Sequence, residues 1–146
     1  MFAQSQALVV LGIDPGLTRC GYAVLGSQSL QQTDVIALGV MTTPATEQLQ
    51  HRLCALQLDI EKLIDETQPD AIAVEQVFFQ NNVRTAMSVG QVSGLVLAMA
   101  SRLGIDVVQY TPSQVKSAVT GSGTANKLQV QSARQSMVGK LAVPRP

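Results

Sequence analysis

The sequence predicts an α/β domain: a mixed five-stranded sheet with helices on its faces. Three observations carry that expectation. Three short apolar runs follow one another with only turn residues between them; apolar segments of helical and strand period then alternate; and 146 residues suffice for a single core but are short for two. Meander strands followed by an αβαβα order combine antiparallel and parallel pairing in one sheet. An apolar fraction of 46% with only 14% charged residues describes a well-buried globular chain rather than a disordered one.

The first three strands are expected at Ala7–Ile13, Gly21–Leu25 and Asp34–Met41, separated by turn-prone Gly, Ser and Gln. Thr43-Pro44 then reads as a helix start, and Leu49, Leu53, Leu56, Ile60 and Leu63 recur at helical spacing until Thr67-Gln68-Pro69. A fourth strand follows at Ala71–Val74, then an irregular turn and a helix from about Asn82 to Leu103. Ile105–Tyr110 is the fifth strand, and Pro112 opens another short helix at a position where its missing N–H is harmless. On the second helix Ala86, Gly90, Gly94 and Ala98 fall four apart. Glycine inside a helix costs about 1 kcal/mol relative to alanine. The stripe is therefore expected to pack closely, against its own sheet first and a second subunit otherwise.

Cys20 and Cys54 fall in an apolar strand and on an apolar helix face, which suits buried thiols in a reducing compartment better than a disulfide. Met1–Ala7 lacks the basic cluster and apolar stretch of a signal peptide, and no run reaches the roughly 18 apolar residues of a membrane span. A cytoplasmic protein without a membrane partner is expected. His51 stands alone, a surface residue rather than a ligand, and no histidine or cysteine cluster offers a site for a soft metal.

Chemistry concentrates in two places. Val9-Val10-Leu11-Gly12-Ile13-Asp14-Pro15-Gly16 and Ala71-Ile72-Ala73-Val74-Glu75 each put an acid where an apolar strand leaves the core. Singly, Asp14 is an ordinary turn starter and Glu75 a solvated rim residue. Together, two carboxylates at neighbouring strand ends raise each other's pKa unless a cation separates them, and Mg²⁺ is the simplest candidate. Net charge is zero, yet residues 1–73 hold three basic residues against eight acids, while residues 74–146 hold seven against only Glu75 and Asp106. Such asymmetry suits an anionic partner; a solvated helix face produces it equally.

The residues carrying these features resemble the RuvC family of Holliday junction resolvases: Leu11-Gly12-Ile13-Asp14-Pro15-Gly16 with Gly21-Tyr22, Glu75-Gln76-Val77-Phe78, Gly90-Gln91, Thr111-Pro112-Ser113-Gln114-Val115-Lys116, and Thr120-Gly121-Ser122-Gly123 with Lys127 and Gln129-Val130. The resemblance runs in order from about Leu8 to Val143. It implies a ribonuclease H-like fold with helices on both faces of the sheet, a homodimer, and Mg²⁺-dependent nicking of two symmetric strands at a four-way DNA junction, with Mn²⁺ substituting. It further implies a role in recombination and repair beside branch-migration helicases. Asp14 and Glu75 match catalytic carboxylates that are also metal ligands. Phe78 matches an aromatic that stacks on a base near the junction centre, leaving Phe79 for the core. Lys116 and Lys127 match basic residues near the scissile phosphate, where they stabilise the charge of the transition state. Arg84, in the basic half, joins Phe78, Lys116 and Lys127 as a DNA-binding candidate.

One departure stands out. Family members end with a helix bearing two further acids, whereas this sequence has no acid after Asp106 and closes on Val143-Pro144-Arg145-Pro146. Residues 1–146 are thus expected to form a single nuclease domain without its C-terminal helix. The alternative function is a junction-binding module that does not cleave. A phosphotransfer enzyme of the actin and sugar-kinase superfamily shares the Asp-x-Gly turn, but such proteins are far longer and need a second phosphate loop.

Overall fold

A computed structural model describes residues 8–29, 32–76, 83–111 and Gln114. The order of elements is β1 (Leu8–Asp14), β2 (Arg19–Ser29), β3 (Gln32–Thr42), α1 (Leu49–Thr67), β4 (Ala71–Glu75), α2 (Val83–Arg102) and β5 (Asp106–Tyr110). They form one sheet of order β3-β2-β1-β4-β5. β1 to β3 pair antiparallel as a meander, and β4 and β5, each reached through a helix, lie parallel to β1 and to each other. This is the mixed sheet that the sequence predicts, with the hairpin of β2 and β3 several residues longer than expected.

Strand alternation builds the core. Leu11 and Ile13 of β1, Val24 of β2 and Ile72 and Val74 of β4 all turn to one face. Leu56, Ile60, Leu63 and Ile64 of α1 meet them there, with Val92, Val96, Met99 and Ala100 of α2. Both described helices occupy this face; residues 115–146 are outside the described residues. The opposite face carries Asp14 and Glu75 and leaves Leu8, Leu38, Val40, Val108 and Tyr110 exposed.

Several local expectations are corrected. α1 begins at Leu49 rather than at Thr43-Pro44: the Glu47 amide donates to the Pro44 carbonyl (3.2 Å) in a turn, and buried Thr43 bonds elsewhere. Cys54 is exposed, whereas Cys20 is buried as predicted, and both are free thiols. Gly90 and Gly94 are exposed, and a Cβ on either would meet nothing within 4 Å, so the small-residue stripe does not pack against its own sheet. α2, at 20 residues, is long and apolar enough by composition to cross a membrane, contrary to the expectation that no segment would be. Its Val92, Val96, Met99 and Ala100 are buried against the sheet, while most of the helix is not buried.

The helix ends follow their chemistry. α1 stops where Gln68 enters the left-handed region (φ 46°) and its amide returns to the Ile64 carbonyl at 2.8 Å, with Pro69 next. α2 ends in a Schellman turn: Gly104, at φ 69°, donates to the Ser101 carbonyl and Ile105 to that of Ala100. Beyond β5, Thr111 Oγ1 accepts from the Gln114 amide (3.1 Å) and Gln114 Oε1 from the Thr111 amide (2.9 Å). That reciprocal pair is a helix-starting box, in keeping with the helix expected at Pro112, which itself lies outside the described residues.

Candidate metal and nucleic-acid site

β1 and β4 are in register up to the pair Ile13 and Val74, both buried in the core. The next residue of each strand is an acid, so Asp14 and Glu75 stand side by side on the opposite face, across the ~4.8 Å that separates neighbouring strands. Gly21 of β2 pairs with Asp14 on its other side; a Cβ there would lie 3.6 Å from Asp14 Cβ and 4.0 Å from its Oδ2. The carboxylate therefore has open space on one flank and a like charge on the other. Beyond Glu75, the Gln76 amide donates to the Tyr110 carbonyl at 2.5 Å, anchoring the end of β4 to β5.

The turn after Asp14 is held from several directions. A Cβ on Gly16 would collide with the Arg19 carbonyl, so the Asp-Pro-Gly turn requires glycine there. Thr43 donates its hydroxyl to the Leu17 carbonyl (2.5 Å) and its amide to the Thr18 carbonyl (3.2 Å). Arg52, in the first turn of α1, donates from Nε to Thr43 Oγ1 and from Nη2 to Thr18 Oγ1, both at 2.9 Å. Sequence reasoning missed this network, because its members come from three separate segments.

Strand directions gather the C-terminal ends of β1, β4 and β5 with the N-terminal ends of α1 and α2 at one edge of the sheet. Arg19, Arg52, exposed Arg84 and exposed His51 lie on elements at that edge. Glu61, Asp65, Glu66, Asp70 and Asp106 belong to the opposite edge. The charge asymmetry read along the chain is thus better described across the fold: Arg19 and Arg52 come from the acidic half of the sequence yet stand near the paired acids. Burial pushes the Cys20 thiol above its ordinary pKa, the charge of Asp14 adds to this, and a hydrogen bond with the Gly16 backbone opposes it.

Asp14 and Glu75 offer only oxygen donors, which suit hard cations such as Mg²⁺ or Mn²⁺. Among the described residues, no group of three or more His, Cys, Asp or Glu converges to complete a metal site. The structure brings together Asp14 and Glu75 and puts Arg84 at the same edge. Phe78, Lys116 and Lys127 lie outside the described residues.

A mixed sheet of this order, with acids at the ends of its adjacent central strands, defines an α/β protein of ribonuclease H-like fold. The profile of the family described as Crossover junction endodeoxyribonuclease RuvC matches residues 10–146. The chain is 45% identical over 137 residues to the crossover junction endodeoxyribonuclease RuvC of Frankia casuarinae, covering 94% of this chain and 80% of that protein. Against the Paenarthrobacter aurescens protein of the same name, identity is 47% over 139 residues, covering 95% and 74%. Among solved structures, T. thermophilus RuvC in complex with Holliday junction substrate superposes with a TM-score of 0.84 at 32% identity, covering 95% of this chain and 84% of that one. The yeast mitochondrial Holliday junction resolvase Ydc2 shares the fold, with a TM-score of 0.64 at 17% identity and coverage of 96% and 65%. The chain belongs to the RuvC family, whose activity is that of a metal-dependent endodeoxyribonuclease acting at crossover junctions.

Proposed function

We propose that this chain resolves four-way DNA junctions by paired, symmetric, Mg²⁺-dependent nicks during recombination and repair. The observation that carries this reading is the placement of Asp14 and Glu75 side by side at the ends of β1 and β4, with Gly21 flanking Asp14 on the other side. Both acids would hold the metal, Mg²⁺ or Mn²⁺ in its place. When bound, the metal supplies an activated water and stabilises the departing 3′ oxygen. Around it the chain's own residues divide the work. Arg84 meets backbone phosphate near the N-terminus of α2, Phe78 stacks on a base near the junction centre, and Lys116 and Lys127 offset charge developing at the scissile phosphate. Residues 1–146 act as one nuclease domain in the cytoplasm, beside branch-migration helicases.

A homodimer provides two sites for two strands, since protein symmetry mirrors that of the junction. The exposed stripe of Gly90, Gly94 and Ala98 on α2, next to exposed Val83 and Met87, supports α2 as the surface that meets its twin. Small residues let two helices approach closely, and two such helices would cover the apolar side chains each leaves in solvent. Replacing Gly94 with Leu is expected to convert dimer to monomer in sedimentation velocity while the fold stays intact.

The alternative is a junction-binding module that does not cleave, in keeping with the absence, among the described residues, of a third His, Cys, Asp or Glu converging with Asp14 and Glu75. Such a module would bind junctions and leave them whole. Incubation with a synthetic four-way junction and a matched linear duplex in Mg²⁺ separates the two. Paired nicks at symmetric positions on the junction alone support the resolvase; tight junction binding without nicks supports the binding module.

A further inference from the structure

We propose that Arg52 is a positioning residue for Asp14, acting through Thr43 and Thr18 on the turn that follows the acid; this rests on Asp14 being a metal ligand. Arg52 itself touches no reacting group. Its two donors tie α1 to that turn and to the residue that braces it: Nη2 to Thr18 Oγ1 and Nε to Thr43 Oγ1, both at 2.9 Å. Thr43 passes the constraint inward. Its hydroxyl accepts from the guanidinium and donates to the Leu17 carbonyl at 2.5 Å, and a donor whose oxygen already faces a cation is polarised into a stronger one. Its amide closes a further bond to the Thr18 carbonyl at 3.2 Å.

Thr43 is 5% exposed and is the one buried polar side chain among the described residues, so this hydroxyl has no water to fall back on. The segment Leu17–Thr18 is thereby held by three hydrogen bonds, braced by a fourth from Arg52 to Thr43, and Gly16 allows the close turn between it and Asp14. Mg²⁺ demands near-ideal octahedral geometry, which makes a site built on a strand end sensitive to where the next residues go. Groups that orient metal ligands change metal affinity or activity by roughly 10- to 100-fold when removed.

Arginine is required for this work and lysine does not replace it, because only a planar fork reaches two acceptors in fixed geometry. A phosphate contact would tolerate Arg52→Lys, since a point charge serves it. The test therefore compares Arg52→Lys, Thr43→Val, Asp14→Asn and the unaltered protein in three measurements: Mn²⁺ affinity by calorimetry, junction affinity in EDTA, and the Mg²⁺ concentration giving half-maximal nicking. Melting temperature is followed for each, and Arg52→Lys, at a partly exposed site, serves if Thr43→Val fails to fold. The expected result is about a tenfold loss of Mn²⁺ affinity in Arg52→Lys, a matching rise in the Mg²⁺ requirement, and junction affinity unchanged. Unaltered metal affinity in Arg52→Lys, with Asp14→Asn having lost metal, overturns the inference and spares the site. Unaltered metal affinity in Asp14→Asn overturns the reading on which it rests.

Discussion

The two edges of the sheet handle their acids in opposite ways. At the edge away from the site, acids are used as structural partners: Asp70 Oδ2 accepts from the Val9 amide at 2.8 Å while its own amide donates to the Val9 carbonyl, and Glu61 pairs with Arg102 across α1 and α2. Both helices finish there in hydrogen-bonded caps. At the other edge Asp14 and Glu75 stand side by side, and Arg52 is spent on Thr43 and Thr18. One set of acids closes the fold; in the function proposed above, the other holds a cation. Like charges side by side lower stability, and such a cost is tolerated where function needs it.

Substitutions at the two edges should therefore separate activity from stability. The largest effect is expected for Asp14→Asn: nicking falls by about 100-fold or more in a Mg²⁺ assay, with junction affinity equal or tighter because a charge facing phosphate is gone. Between the edges, Leu56→Ala empties a fully buried site and should cost about 2–5 kcal/mol in urea unfolding, with metal affinity unchanged in the folded fraction. Asp70→Ala should cost about 1 kcal/mol of stability and leave nicking untouched, the mirror image of Asp14→Asn.

The smallest effect concerns Cys20. Burial favours its neutral thiol, so the folded-state pKa lies above the ordinary 9.0, and above about pH 9 the unfolded chain releases a proton that the folded chain retains. Its contribution to stability is complete below that pH and is lost as pH rises through the folded-state pKa. Cys20→Ala should remove that alkaline slope. At pH 8 a thiol reagent should label exposed Cys54 in the native protein and spare Cys20.

Much of this was legible in the sequence because it lies in short contiguous stretches. Strand, turn and acid adjoin in Leu11-Gly12-Ile13-Asp14-Pro15-Gly16, so the end of β1 and its carboxylate could be read together, as could Val74 and Glu75. The apolar period of Leu56, Ile60 and Leu63 fixed the buried face of α1. Thr43-Pro44 misled because its local pattern suits a helix start, while the Thr43 side chain is taken by Leu17 and Arg52, residues distant in sequence. The stripe of Gly90 and Gly94 showed that close approach was possible, and nothing in a spacing of four says whether the partner is the same chain. Cys54 lies one position past Leu53 on α1, and that 100° step is enough to carry it from the partly buried stripe into solvent.

The most direct measurement is thermal unfolding of the unaltered protein, Asp14→Asn and Glu75→Gln, each in EDTA and in Mg²⁺. If the paired acids are kept for a cation, Mg²⁺ raises the melting temperature of the unaltered protein by binding its folded state, while both variants are at least as stable in EDTA and gain nothing from the metal. A Mg²⁺-dependent rise that persists in both variants would contradict the assignment of Asp14 and Glu75 as the metal site.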